Sequence, residues 1–182
     1  MMGKGSVSHN TRTFSAKNVD KERSKYNVEF CHLDIKKVYH ELFDEALERY
    51  NAKQKRSDRK IDNYYEKVRQ SKQEKLFHEV ILQIGNKDDM NAKSEEGQLA
   101  KDILIQFMED FQKRNPNLYV FSTHLHMDEE TPHIHIDFVP YIRNSERGLD
   151  TRVSLKGALA EQGFKGGTRS ATEWNQWMES EK

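Results

Sequence analysis

Hydrophobic and polar side chains alternate within residues 119–126 and 133–139, and this alternation predicts two β-strands. The short polar segment between them ends at Pro132, so the strands are predicted to pair antiparallel as neighbours. One face of the pair is expected to lie in the core and the other to face water. The polar face collects Ser122, His124, His126, His133, His135 and Asp137.

The hydrophobic pattern elsewhere predicts one more strand and several helices. Residues 77–84 form a short apolar run ended by Gly85, and we expect a central strand there. Residues 1–30 hold few apolar side chains and predict loop with at most one short strand, outside the core. Helices are predicted from the N-cap residue Asp34 to Tyr50, over 61–71, from Ser94 to Asn115, over 154–164 and over 171–180. The apolar period of the third of these helices is carried by Leu99, Ile103, Phe107, Met108 and Phe111.

These elements together predict an α+β fold. Strands separated and followed by amphipathic helices indicate a largely antiparallel β-sheet with helices packed on one face, leaving the opposite face to the polar residues. A chain of 182 residues is long enough to bury a proper core and fits a single domain over residues 1–182.

Composition narrows the classes of function. The 30 basic residues balance the 30 acidic ones, so no overall field attracts nucleic acid and any DNA binding must come from local patches. The single cysteine, Cys31, excludes an internal disulfide framework and fits a reducing cytosol. The sequence has no apolar run long enough to cross a membrane and no signal-peptide pattern.

The histidines of the polar face predict a divalent-metal site. His133 and His135 share one face of a strand, and His126 lies across the predicted hairpin from them. Imidazoles suit first-row divalent metals, and three of them leave coordination positions open, as a catalytic site requires. His124 either replaces His126 in this set or only lines the same face.

The N-terminal residues supply a second polar constellation, which resembles a known family. Residues 8–12, with His9 and Arg12, followed by residues 18–20 and 23–27, are similar to the first two motifs of MobV-type (Mob/Pre) plasmid mobilisation relaxases. The hairpin from His126 to His135 resembles their third motif. These relaxases belong to the wider HUH class of single-strand endonucleases, named for the His-hydrophobic-His pattern of residues 133–135. The resemblance covers residues 5–140 and, more loosely, the rest of the chain.

The resemblance implies a fold and a function. The fold would be HUH relaxase-like, with an RRM-like or palm-like core. The activity would be metal-dependent, site- and strand-specific nicking and religation of DNA at a plasmid or mobile-element origin of transfer, through a covalent 5′-phosphate intermediate. Single-stranded or supercoiled origin DNA would be the partner, Mn²⁺ or Mg²⁺ the cofactor, and the bacterial cytoplasm the location. The resemblance also implies that residues 1–182 are the N-terminal catalytic fragment of a longer protein, dimeric through a missing C-terminal region.

The resemblance also assigns roles to individual residues. His9 would be the nucleophile, with Glu129 taking a proton from it or holding its ring, and Arg12 would neutralise phosphate charge. The metal ligands would be His126, His133 and His135, with Asp128 orienting one of them from behind. The second motif lacks the tyrosine that usually follows its asparagine and has Tyr26 before it, so Tyr26 is a rival nucleophile.

Basic residues outside the motifs are candidates for DNA contacts. Arg143 and Arg152 follow the hairpin, and a basic run precedes the second predicted helix. Such a run is either a solvated helix end or a surface that holds the DNA backbone, since phosphate contacts supply most nonspecific affinity. The run consists of Lys53, Lys55, Arg56, Arg59 and Lys60.

Two other functions are compatible with the motifs. A rolling-circle replication initiator of the HUH class uses a tyrosine downstream of the histidine strand, but Tyr141 is the only tyrosine after residue 135 and directly adjoins that strand. A noncatalytic metal-binding or DNA-binding module would use the histidines only as structural ligands. Metal-dependent nicking with covalent attachment separates the enzyme from such a module.

Overall fold

The computed structural model describes residues 7–14 and 16–182, and these residues form an α+β fold. The strands within these ranges are β1 (Val28–His32), β2 (His78–Gln83), β3 (Leu118–His126), β4 (His133–Ile142) and β5 (Arg152–Val153). The helices are α1 (Val7–Asn10), α2 (Ile35–Ala52), α3 (Tyr64–Arg69), α4 (Glu95–Glu109), α5 (Phe111–Arg114), α6 (Leu155–Glu161) and α7 (Glu173–Ser180). Two short 3-10 helices lie at Ser24–Tyr26 and Ser57–Arg59.

The sheet has the strand order β1-β3-β4-β2, and β5 pairs with the end of β4. The pairs β1–β3, β2–β4 and β4–β5 are antiparallel. Strands β3 and β4 are neighbours joined by six residues, a connection that suits an antiparallel hairpin and is too short for a parallel crossover. The predicted α+β class with an antiparallel sheet is therefore confirmed.

The prediction that residues 77–84 form a central strand is wrong. β2 lies at one end of the strand order, next to β4, and the inner strands are β3 and β4. The apolar run had suggested a central strand. Such a run indicates that both faces of a strand are covered, but it does not indicate that the strand pairs with neighbours on both edges. Val80 is buried in this strand, while Ile81 and Leu82 are half-buried.

Helix α2 begins where its sequence predicts. The side chain of Asp34 caps it by accepting a hydrogen bond from the backbone N–H of Lys36. The helix extends two residues beyond the predicted end at Tyr50, and its buried face consists of Val38, Tyr39, Phe43 and Ala46. The second predicted helix is shorter than residues 61–71, because Asn63 caps α3 through the N–H of Glu66.

Helix α4 also begins as predicted, but it buries a different face. The side chain of Ser94 caps it through the N–H of Gly97. Leu99 and Ile103, which carry the apolar period of the sequence, are 56% and 42% exposed. The buried side is built from small residues as well as apolar ones: Gly97, Ala100 and Leu104. A Cβ at position 97 would clash with the backbone carbonyl of Asn91, so close packing selects the glycine side of the helix.

The contacts divide the chain into two compact units that interleave along the sequence. The first unit contains the chain up to Leu33, His78–Arg114 and Val120–Phe138, and the second contains Asp34–Phe77, Asn115–Tyr119 and Val139–Lys182. The first buries Val80, Ala100, Leu104, Phe111, Phe121, Leu125, Met127, Ile134, Ile136 and Phe138. The second buries Val38, Tyr39, Phe43, Ala46, Tyr64, Val68, Leu118, Val139, Leu149, Val153, Ala158, Leu159 and Trp177. The assignment of residues 1–182 to a single domain stays a prediction.

None of the helices in the described ranges has the length and apolar character needed to span a membrane.

Candidate active site

The hairpin of β3 and β4 places three of the predicted metal ligands together. His126 ends β3, and His133 and His135 alternate with Ile134 and Ile136 on β4, whose two isoleucines are fully buried. The predicted alternation is confirmed. The histidine face was expected to be wet, but His126, His133 and His135 are only 1%, 7% and 6% exposed.

The N-terminal segment explains why the histidine face is buried. Asn10, at the end of α1, is 1% exposed, and its backbone carbonyl lies 2.9 Å from Nε2 of His126. Its side-chain amide donates to Glu79 at 2.8 Å and to Asp137 at 3.1 Å. Residues 1–30 were predicted to stay outside the core, but this part of the segment forms a polar cover over the sheet.

The rings of the three strand histidines converge. Their centroids are 5.2 Å apart for His126 and His133, 4.9 Å for His126 and His135, and 5.1 Å for His133 and His135. Each ring uses one nitrogen in a hydrogen bond to oxygen, which fixes its tautomer and leaves a lone pair on the other nitrogen. The bonds are from His126 Nε2 to the Asn10 carbonyl, from His133 Nδ1 to the Thr131 carbonyl and from His135 Nδ1 to Glu79, each 2.9 Å long.

The remaining ring nitrogens fit a divalent cation. Among the described residues, Nδ1 of His126 and Nε2 of His135 are buried and have no hydrogen-bond partner, an arrangement that costs free energy unless a ligand satisfies it. Two sets of side chains bring their ligand atoms within 4.8 Å of one another: His9, His126 and His135, and His126, Glu129 and His133. The three predicted ligands are thus divided between two sets that share His126.

Burial keeps His126 and His133 neutral. It lowers the pKa of His126 to about 3, and it also lowers the pKa of His133. A neutral imidazole is the form that binds a metal, so these two side chains are in the ligating state at physiological pH.

Glu79 was not identified from the sequence. It stands on β2 directly opposite Asp137 of β4, and its Oε1 accepts the hydrogen bond from Nδ1 of His135. Burial alone would raise its pKa, but hydrogen bonds from His135 and Asn10 outweigh burial and lower it. A carboxylate behind a ligating imidazole fixes its orientation and raises its basicity. Glu79 stands behind His135 in the position that this role requires. The available signal was a lone carboxylate inside an apolar strand.

Replacing Glu79 by glutamine is expected to weaken Mn²⁺ binding by roughly 10- to 100-fold, because the amide polarises the ring of His135 less than a carboxylate does. Isothermal titration calorimetry of the purified protein with Mn²⁺ measures this change. Glu29→Gln is the matched control, since Glu29 lies 3.6 Å from Nδ1 of His124, outside both metal-capable sets. Equal Mn²⁺ affinity in wild type and Glu79→Gln would contradict the assigned role.

His9 lies beside the strand histidines. Its ring centroid is 5.9 Å from those of His126 and His135, and its Nε2 is 3.5 Å from Oε1 of Glu129. Burial lowers its pKa, and the nearby charge of Arg12 lowers it further. Arg12 places its Nη1 3.2 Å from the same ring nitrogen. The first and third sequence motifs therefore meet in space, with an uncharged imidazole between a carboxylate and a guanidinium.

Arg12 and Asp128 hold the N-terminal segment to the hairpin. Arg12, whose φ is 56°, donates to both oxygens of Asp128 and to Glu129. Asp128 also accepts hydrogen bonds from Ser24 and Asn27, each at 2.7 Å. The hydrogen bonds described for the Asp128 carboxylate come from these three residues. The expectation that Asp128 orients a metal ligand stays a prediction. Glu129 also accepts from Asn18 at 2.8 Å.

Asp128→Ala is expected to destabilise the protein by about 3 kcal/mol, because Arg12 would lose its main partner in a buried site. Burial raises the pKa of Asp128, but hydrogen bonds from Arg12, Ser24 and Asn27 outweigh it and lower the pKa from 3.8 to about 2. A depressed folded-state pKa stabilises the protein above the unfolded value, and this contribution disappears as the pH falls through the interval between the two values.

Urea unfolding of wild type and Asp128→Ala at neutral pH and in acid measures both effects. The difference in unfolding free energy between the two proteins should shrink in acid. Asp58→Ala is the control, because the Arg56–Asp58 ion pair is exposed and contributes little. An Asp128→Ala protein as stable as wild type at neutral pH would refute the structural role of this carboxylate.

The other candidate residues lie away from this network. Tyr26 is 48% exposed, with Arg23 and Lys25 stacked 5.5 and 5.1 Å from its ring centroid, and none of its described contacts reaches the histidines. His124 adjoins His32, with ring centroids 5.8 Å apart, and belongs to neither metal-capable set.

The basic candidates all belong to the second unit. They are Lys53, Lys55, Arg56, Arg59 and Lys60 around the second 3-10 helix, Arg143 beyond β4, and Arg152 on β5. Arg56 pairs with Asp58, and Arg152 pairs with Glu74 at 3.3 Å. Arg143 stacks 5.6 Å from the ring centroid of Tyr141.

A cavity of about 770 Å³ opens onto the histidines within the first unit. His9, Glu129, His133 and His135 line it, together with Asn18, Ile81, Gln83, Lys87, Glu130 and Thr131. His9 and two of the predicted metal ligands, His133 and His135, therefore face the same cavity.

Comparison with known proteins gives one family and several related structures. The model of a family described as plasmid recombination enzyme (Mob/Pre) matches residues 17–162. No match was found among curated protein sequences. The matched structures are Mn-bound crystal structures of the MobM relaxase domain with plasmid pMV158 oriT DNA. The one at pH 6.8 is 23% identical, with a TM-score of 0.46, and covers 87% of this chain and 74% of that one. The one at pH 6.5 is 20% identical, with a TM-score of 0.41, and covers 98% and 96%.

Proposed function

Because the chain belongs to the plasmid recombination enzyme (Mob/Pre) family, as its motifs indicated, we propose that it is a relaxase that nicks and rejoins one DNA strand at an origin of transfer. The observation that carries the proposal is the position of His9, an uncharged imidazole between Glu129 and a cluster of histidines able to hold a divalent metal. A binding module has no need of a nucleophile and a carboxylate at this place.

The residues proposed to hold Mn²⁺ or Mg²⁺ are His126, His133 and His135. The hydrogen bonds described above leave one ring nitrogen of each for coordination, and Glu79 supports His135 from behind. A bound divalent ion supplies a Lewis acid that polarises the scissile phosphate. Three imidazole ligands favour a first-row ion such as Mn²⁺, and Mg²⁺ is the alternative.

The chemical step is a transesterification at phosphorus. An imidazole nitrogen of His9 forms a bond to the scissile phosphorus as the bond from phosphorus to the 3′ oxygen breaks. The ring proton that His9 loses passes to Glu129, and the released 3′ oxygen takes a proton from solvent water to become a hydroxyl. The reverse reaction, attack of the 3′ hydroxyl on the phosphoramidate, restores the strand. Arg12 holds Glu129 in place and adds positive charge beside the reacting phosphate.

Further contacts to the DNA are proposed for basic residues of the second unit. Lys53, Lys55, Arg56, Arg59, Lys60, Arg143 and Arg152 are proposed to contact the DNA backbone. Dimerisation of a longer protein through a C-terminal region stays a prediction.

The test uses supercoiled plasmid that carries the origin of the element encoding this chain. Incubation with Mn²⁺ should convert it to the open circular form, with protein attached to the 5′ end after denaturation in detergent. Excess EDTA and a plasmid without the origin are the controls. Cleavage with the protein attached through a tyrosine would favour a replication initiator, and Mn²⁺ binding without cleavage would favour a noncatalytic module.

A further inference from the structure

The wall of the cavity includes one positively charged side chain, Lys87, that takes no part in the proposed chemical step. Of the described residues that form its wall, the charged ones are Glu129, Glu130 and Lys87. Lys87 lies in the loop after β2, four residues beyond Gln83, which pairs directly with His133 in the sheet. Lys87 does not stand out in the sequence, because two aspartates follow it and it lies far from both motifs.

The loop that carries Lys87 is held by its own hydrogen bonds. Gly85 has a φ of 64°, and its carbonyl accepts from the side chain of Gln83 at 2.8 Å. Asn86 donates to both carboxylate oxygens of Asp89, and its carbonyl accepts from the N–H of Met90 at 2.7 Å. These contacts fix the backbone of the loop and leave the ammonium group uncommitted, because no carboxylate in the described part of the chain forms an ion pair with it.

The negative charge of the cavity wall favours a cation where an anionic strand binds. Arg12, Asp128 and Glu129 together carry one positive and two negative charges. Glu130 adds a further negative charge to the cavity wall, so the guanidinium alone leaves a net repulsion of a DNA strand. A divalent ion held by the histidines would offset the charge of the scissile phosphate only, and the neighbouring phosphate of the same strand would still face the carboxylates. An ammonium group offers three donors and one compact positive charge, which suits a single phosphate.

We propose that Lys87 binds a backbone phosphate next to the scissile one and so positions the single strand in the cavity. The inference rests on the proposed function for the identity of the strand. Lys87 acts as a positioning residue that holds substrate and takes no part in the transfer of the phosphoryl group.

The experiment measures binding without cleavage. A fluorescent single-stranded oligonucleotide covering the nick region is titrated with the protein in EDTA at several salt concentrations, and anisotropy gives the dissociation constant. Lys87→Ala should weaken binding roughly threefold to tenfold and reduce the slope of log affinity against log salt by about 0.7, the value for one phosphate contact on a single strand. Lys87→Arg should keep both values near wild type.

Lys113→Ala is the matched control, since Lys113 is exposed on α5 and does not line the cavity. Nicking assays on the same variants should show a raised KM and an unchanged kcat for Lys87→Ala. Wild-type affinity and salt slope in Lys87→Ala would overturn the inference while leaving the nickase proposal intact. If wild type binds the oligonucleotide but never cleaves it, the nickase proposal fails. The role of Lys87 in binding is still tested, because the salt slopes are measured without cleavage.

Discussion

A His9→Ala variant is expected to lose covalent attachment to DNA entirely and to nick at least about 10⁴-fold more slowly than wild type, because removal of a nucleophile leaves only binding and electrostatic stabilisation. His9 is the imidazole that lies between Glu129 and the strand histidines, and its lowered pKa keeps it uncharged near neutral pH. Detergent gels of a labelled oligonucleotide reveal the adduct, and the time course of plasmid nicking gives the rate.

Tyr26→Phe tests the rival nucleophile and is to be compared with His9→Ala. The phenylalanine keeps the ring on which Arg23 and Lys25 stack and removes only the hydroxyl. This variant should nick and form the adduct as wild type does, since Tyr26 is half exposed and has no described contact with the histidines. If Tyr26→Phe loses the adduct while His9→Ala retains it, the nucleophile has been assigned to the wrong residue.

His126→Ala is expected to abolish Mn²⁺ binding and to reduce nicking by more than about 10³-fold. His126 is the only residue common to both metal-capable sets, so its removal breaks each of them. The loss of one strong electrostatic contribution at a reacting phosphate already costs roughly 3 kcal/mol, and here the whole ion is lost. The spectrum of free Mn²⁺ in electron paramagnetic resonance measures the binding independently of any cleavage.

His124→Ala is the control for His126→Ala, because it changes a buried histidine two residues away on the same strand face. It should bind Mn²⁺ as wild type does. His126→Gln keeps a polar side chain of similar size, so it tests whether lost Mn²⁺ binding in His126→Ala comes from misfolding. Circular dichroism checks the folding of each variant. An His126→Ala protein that binds Mn²⁺ with wild-type affinity would remove the metal site from the proposal.

The parts of the fold that the sequence predicted correctly are those set by residues close to one another in the chain. The alternation in residues 119–126 and 133–139 produced β3, β4 and the shared face of His133 and His135. The capping residues Asp34 and Ser94 begin their helices because their side chains satisfy backbone N–H groups within three residues of themselves. Family motifs, and not periodicity, supplied His9 and Arg12.

Long-range contacts account for what the sequence did not reveal. Asn10 meets Glu79 and Asp137 across 69 and 127 residues of chain, and no periodicity encodes such a meeting. The wet face of the histidines was predicted from the polarity of one hairpin, which cannot show that another segment covers it. The buried side of α4 includes Gly97 and Ala100, which are selected because their small size allows close packing and not because they are hydrophobic.

The bonds between Arg12 and Asp128 join residues 116 positions apart, so the imidazole of His9 is synthesised long before the hairpin residues that surround it. A ribosome that has released only the first hundred residues carries His9 but neither Asp128 nor any histidine of the hairpin. The candidate site therefore cannot assemble on a partly translated chain. The site can form only after the hairpin, the last part of the first unit in the sequence, has been synthesised.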